Sequence, residues 1–312
     1  MALFSSLKKQ GIWSTLKEKI QTGNMFYDIG SAALNGTNKT SLELIRLGEI
    51  NRVSQKLERR YRKLINKPLT KVTDIPSLEN LPVWTMWLQG EEQAPALVQR
   101  TINSIKKNYK NVEVVTKDNF SDFINLPDEI IAKWHSKVIS SAHFSDIVRT
   151  ELLIKYGGTW IDSTTYVHNR CIWLDQEIND SPLFFFQNMR PGAMGNAIFL
   201  SSWFITAIPN EPSLLRLREL LYSYWQENNK LKDYFLFHIF WHLIFKAHPA
   251  ELRQVPKVPN SLPLQMMYEL NNELSDQEIK EIFMNFPIQK LTYKKLSNNS
   301  AAVHFQLTNR DF

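Results

Sequence analysis

From residue 83 onward the chain alternates short apolar runs with amphipathic stretches. "VWTMWL" (83–88) and "VEVVT" (112–116) are brief and rich in β-branched or aromatic residues, the pattern of strands, while "APALVQRTINSIKK" (94–107) between them has helical spacing. This βαβ opening commits the chain to an α/β fold. The alternation continues: "SSAHFSDIVRTELLIKY" (140–156) reads as an amphipathic helix ending at Gly157, where a left-handed cap is needed, and "TWID" follows as a strand. Further on, "PLFFFQNM" and "NAIFLSSWFITA" are strand-like, 211–227 and 231–247 helical, 274–284 a short acidic helix, and "AAVHFQLT" a last strand or extended tail.

The first quarter of the chain has a different character. Pro68, Pro76 and Pro82 punctuate a connector, which divides the sequence into a basic helical segment (1–75) and an α/β domain (76–312). Residues 1–71 hold 14 Lys/Arg against 5 Asp/Glu, leaving 23 against 26 for the rest, so the net charge of +6 belongs to the N-terminal segment. Ile12, Trp13, Leu16 and Ile20 fall at helical spacing among lysines, and 41–66 repeats the pattern with Ile45, Ile50, Val53, Leu57 and Tyr61. Such helices either pack on the main domain with a solvated basic face or meet an anionic membrane surface. No nucleic-acid partner is expected. The lone Cys171 excludes an intramolecular disulfide and a CxxC-type zinc site. No apolar run approaches the roughly 18 residues that a membrane span needs, and Met1 to Ile20 lacks the apolar centre of a signal peptide. The expected location is cytoplasmic, peripheral on the inner face of the plasma membrane if the basic segment binds lipid.

One carboxylate stands out. Asp162 closes the apolar strand of "KYGGTWIDSTTYV" (155–167), and α/β sheets bind ligands where their strands end. The helix before it carries Asp146 and Arg149 at i and i+3, on one face and one turn apart. A carboxylate accepts hydrogen bonds and a guanidinium donates them, so together they can grip sugar hydroxyls; taken alone, they read first as a surface ion pair.

The combined pattern S-D-x-x-R-x-x-x-L-x-x-x-G-G-x-W-x-D, here Ser145, Asp146, Arg149, Leu153, Gly157, Gly158, Trp160 and Asp162, resembles the glycosyltransferase family 32 group, most closely its bacterial capsular polysaccharide synthesis members. "VWTMWLQGEEQAPALVQRTINSIKKN" and "DYFLFH" (233–238) extend the resemblance over about residues 80–245. It implies a GT-A nucleotide-sugar transferase fold, a UDP-hexose donor, retention of anomeric configuration, and an oligosaccharide acceptor, lipid-linked, in capsule or exopolysaccharide synthesis. Carried over by position, Trp87 would stack on uracil, Asp146 and Arg149 would hold the donor hexose with Gly158 in the donor site, and Asp162 would be the first acid of a DxD motif. Asp233 and His238 would stand near the acceptor or the leaving diphosphate as catalytic candidates, and Asn196 on the acceptor side. A divalent cation, Mn²⁺ or Mg²⁺, is implied at the diphosphate. The second DxD acid is however Thr164, so the ion is either held through water and other groups, with His304 a candidate ligand, or only weakly required. His238 and His242 are four apart, but Ile239 stands where a zincin helix has glutamate, and His242 reads as core. The rival function is a non-catalytic protein of the same fold that binds a polyanion or membrane through its basic N-terminus.

Overall fold

The computed structural model describes residues 25–72, 78, 80–189, 197–269 and 274–293. The expected strand "AAVHFQLT" and helix around residues 12–20 lie outside them. Five strands form the main sheet: β1 (Val83–Met86), β2 (Val112–Val115), β3 (Gly158–Ile161), β5 (Leu183–Gln187) and β6 (Leu200–Ala207), in the order β2-β1-β3-β6-β5. β1 runs parallel to β2 and β3, whereas β6 is antiparallel to both β3 and β5. The expected βαβ unit is present, with α3 (Ala96–Asn108) as its crossover. A second, two-stranded ribbon pairs β4 (Thr165–Val167) with β7 (Ile288–Lys290), antiparallel, with Thr165 opposite Lys290.

α4 (Ser141–Tyr156) leads into β3 through a tight corner. Its N-terminus is capped by the Ser140 hydroxyl, which accepts from the His143 amide, and its end is Gly157 at φ 66°. Gly158 follows at φ 91°, and a Cβ there would lie 2.0 Å from the Pro82 carbonyl oxygen. The two glycines therefore let β3 leave the helix at once and run hard against β1. That corner sets where Asp162 emerges.

The second basic helix is part of the core. After α1 (Met25–Asn35), α2 (Lys39–Arg60) is capped by Asn38 and turns its apolar stripe inward, with Ile50, Val53 and Leu57 packed in the same cluster as Trp84 of β1 and Trp160 of β3. Sequence spacing suggested one helix to residue 66; Tyr61, at φ −104° and ψ 17°, breaks it before a short turn, Arg62–Ile65. The Arg46 guanidinium holds the Asp233 carboxylate in a fork, with both contacts at 2.8 Å, and so ties α2 to the start of α6 (Leu236–Ala247). No helix of the described residues is long and apolar enough to cross a membrane.

Candidate active site

β1 and β3 are parallel neighbours, so the residues that follow them emerge on the same edge of the sheet. Trp87 and Leu88 follow β1, and Asp162, Ser163 and Thr164 follow β3. These residues, one face of α4 and the start of α6 enclose a cavity of about 410 Å³. Its size falls within the range of ordinary small-molecule sites.

Arg149 organises this cavity. It is 5% exposed, its Nη1 donates to the Ser202 carbonyl at 2.7 Å and lies 3.2 Å from Asp146 Oδ1, and its Nη2 lies 3.3 Å from Asp162 Oδ1. The guanidinium carbon stands 4.8 Å from the centre of the Trp160 ring. Trp160 and Asp162 are two apart on β3 and its continuation, so their side chains share a face, and the indole N–H donates to Asp162 Oδ1 at 2.9 Å. One guanidinium thus aligns two carboxylates from different elements. Burial pushes the Asp146 carboxyl up, but Arg149 and His143 outweigh it and leave its pKa below the usual value. Trp225 donates to His143 Nε2 at 3.0 Å, which places a neutral ring's proton on Nδ1, 3.4 Å from Asp146 Oδ2.

His238 lines the same cavity, and its buried Nδ1 has no hydrogen-bond partner among the described residues. Burial pulls its pKa down to about 4 against the opposing pull of Asp146, so the ring is neutral near pH 7. It can accept from, or donate to, a ligand hydroxyl. Trp87 is half-buried at the cavity wall, with Tyr293 edge-on to it at 5.5 Å.

The structure gathers Trp87, Asp146, Arg149, Asp162, Thr164 and His238 at this cavity. Four expected site residues need correction or lie elsewhere. Gly158 is at the opposite end of β3 from Asp162 and serves the backbone approach to Pro82, not a ligand. Asp233 is not at the cavity wall: its side chain is 2% exposed and is taken up by Arg46 and by the Phe235 amide, which donates at 2.8 Å. Asn196 and His304 lie outside the described residues. His242 is buried against Phe199, as its apolar surroundings suggested.

Sequence reasoning missed Lys290. The pairing of β7 with β4 carries it to the DxD-like turn, where its ammonium donates to Thr164 Oγ1 at 2.5 Å and to the Leu291 carbonyl at 3.1 Å and stands 3.9 Å from Asp162 Oδ2. Burial lowers its pKa from the ordinary lysine value, Asp162 acting against this and Arg149 with it. The donor set therefore suits a divalent cation poorly. At the DxD-like turn Asp162 is the one carboxylate, the hydroxyl in the second acid's place is already bonded to a cation, and no group of three or more His, Cys, Asp or Glu among the described residues could hold a metal ion.

A mixed α/β sheet whose strand ends present an acid and an aromatic ring round a cavity completed by a guanidinium from α4 defines a protein built to hold a polar organic ligand. The chain belongs to the capsular polysaccharide synthesis protein family, whose model matches residues 37–307. No curated protein matches it. Among solved structures it is similar to the PaToxG glycosyltransferase, at 16% identity over 76% of this chain and 95% of the other, with a TM-score of 0.39. It is also similar to the glycosyltransferase GlyE of Streptococcus pneumoniae TIGR4, at 9% identity over 74% of this chain and 60% of the other, with a TM-score of 0.37.

Proposed function

We propose that the protein is a GT-A-type glycosyltransferase that moves a hexose from a UDP-sugar to a lipid-linked oligosaccharide in capsule synthesis, with retention of configuration. One observation carries the reading: Arg149 joins Asp146 and Asp162 at the edge where β1 and β3 end, in the cavity that Trp87 also lines. In it, the Trp87 ring receives uracil, a flat base for which an aromatic face is the natural partner. Asp162 accepts from ribose hydroxyls, while Asp146, Arg149 and the neutral His238 hold the hexose. Family membership supports the role in capsule synthesis. A membrane-bound acceptor agrees with the basic N-terminal segment, but the apolar stripe of α2 already faces the core, so lipid contact would fall to the segment around residues 12–20.

A thermal-shift panel of UDP-, GDP-, dTDP- and CMP-sugars tests the donor class, because a ligand that binds the folded state raises its melting temperature by mass action. UDP-sugars should raise it and the others should not. A shift confined to another nucleotide would replace the donor, and no shift with any of them would remove the nucleotide-sugar reading.

A further inference from the structure

We propose that Lys290 supplies the positive charge that meets the donor's diphosphate, so that the protein binds its nucleotide without a divalent cation. This rests on the reading of the cavity as a nucleotide-sugar site. The motif that would otherwise hold an ion is Asp162-Ser163-Thr164, and its third position is a hydroxyl. That hydroxyl accepts from Lys290 Nζ at 2.5 Å, and the same ammonium stands 3.9 Å from Asp162 Oδ2. An ion bound to Asp162 would have to sit beside this fixed like charge, which disfavours it. The ammonium stands beside Thr164 and Asp162, which line the cavity, although Lys290 is not itself one of the lining residues.

The placement is built into the fold. The Leu291 amide donates to the Thr164 carbonyl at 2.8 Å and the Lys290 amide donates to the Pro263 carbonyl at 2.7 Å, which pins the backbone on both sides of the lysine stem. Next to it, Gln289 is fully buried, donating to the Leu262 and Phe286 carbonyls and accepting from the Met266 amide. β7 is thus held in register with β4, and the ammonium keeps its position relative to Thr164. An ammonium has three donors. Two are used, on Thr164 and Leu291; at 3.9 Å the Asp162 oxygen is beyond hydrogen-bond distance, so one donor remains for an anion. The side chain is 18% exposed, so a ligand can reach it. On the other side of Asp162, the Arg149 guanidinium bonds Oδ1, so the carboxylate spaces two cations across the turn.

Calorimetric titration of the full chain with UDP and with uridine, each in EDTA and in Mn²⁺, tests this. The expected result is a UDP affinity that differs by less than about twofold between EDTA and Mn²⁺. Lys290→Met should weaken UDP by about tenfold or more and leave uridine unchanged, which also shows that the variant is folded. Lys290→Arg should retain most of the UDP affinity. If Lys290→Met does not fold, Thr164→Val, which removes only the hydroxyl that seats the ammonium, should weaken UDP several-fold at constant uridine affinity. UDP binding by the wild type that needs Mn²⁺, or unchanged UDP affinity in a folded Lys290→Met, overturns the proposal while leaving the nucleotide-sugar reading in place. Failure of the wild type to bind UDP or uridine under either condition overturns both.

Discussion

Asp162→Asn separates a carboxylate that serves a ligand from one that only shapes a turn. Asparagine preserves the shape, and its amide oxygen can still accept from the Trp160 indole and the Arg149 guanidinium, which bond Oδ1 at 2.9 and 3.3 Å. What is lost is the charge. A hydrogen bond to a charged group contributes about 1 kcal/mol more than a neutral one, and two such bonds weaken here. The Lys290 ammonium at 3.9 Å loses its counter-charge too, but the Asp162 side chain is 29% exposed, so water screens that pair. The stability cost should therefore be about 1–2 kcal/mol, a fall in Tm of no more than about 5 °C for a chain of this size. Transfer should suffer far more, because the charge both orders the two cations and accepts from the donor. A fall in kcat/KM of about 10²-fold, equivalent to about 2.7 kcal/mol, is expected. UDP release and Tm, measured on the same preparations, decide the matter. Near-wild-type transfer, or a Tm loss above about 10 °C that accounts for the lost activity, would refute the reasoning and return Asp162 to the turn.

Trp87→Ala should weaken UDP binding by about 1–3 kcal/mol in calorimetry, the range for a base stacked on an aromatic ring; unchanged affinity in a folded variant would take Trp87 out of the site. Glu211 caps α5 (Pro212–Glu227), and burial, opposed by bonds from Ser213 and Leu214, raises its pKa from 4.5 to about 7. The folded state then holds a proton that the unfolded state has released between these values, so stability is lost as pH rises from about 4.5 to 7, by roughly 3 kcal/mol. In urea titrations Glu211→Gln should gain about that much relative to wild type between pH 4.5 and 8; an equal difference at both pH values would contradict it. Removal of residues 1–75 strips Ile45, Ile50, Val53, Leu57, Tyr61 and Ile65 from buried positions, at about 1.5–3 kcal/mol each, more than a domain's usual reserve. The remainder should show no cooperative unfolding transition, and a folded fragment that binds UDP would prove the segment dispensable.

The site was legible where its residues are close in sequence. Ser145 to Asp162 lie within one helix and the strand after it, so helical spacing put Asp146 and Arg149 on one face and strand position put Asp162 at a sheet edge, while the resemblance of the combined motif to family 32 glycosyltransferases joined the three in one site. Long-range partners left no such trace. Lys290 sits in "PIQKLTY", an ordinary strand end, and only the pairing of β7 with β4, some 125 residues earlier, takes it to Thr164. Asp233 failed for the same reason: its neighbour His238 does reach the cavity, but Arg46, 187 residues away, takes its carboxylate into a structural fork. The fold followed a similar rule. Periodicity gave the longer helices from residue 39 onward to within a few residues, since it is local, but missed Met25–Asn35, Asp128–His135 and Ile172–Asn179, and the antiparallel insertion of β6 beside β3 depends on which edges meet in space. The glycine pair was read as a helix stop followed by a donor contact; only the 2.0 Å approach of Pro82 showed that the second glycine serves packing.

The most direct test of the account is phosphorus NMR of the wild-type protein incubated with UDP-hexoses and a capsule-type oligosaccharide acceptor, followed in parallel with Arg149→Met. The account requires the diphosphate signals of one UDP-hexose to convert to those of UDP with the wild type and about 10²-fold more slowly with the variant. Binding of a UDP-hexose without any release of UDP, or equal rates in the two proteins, would contradict it.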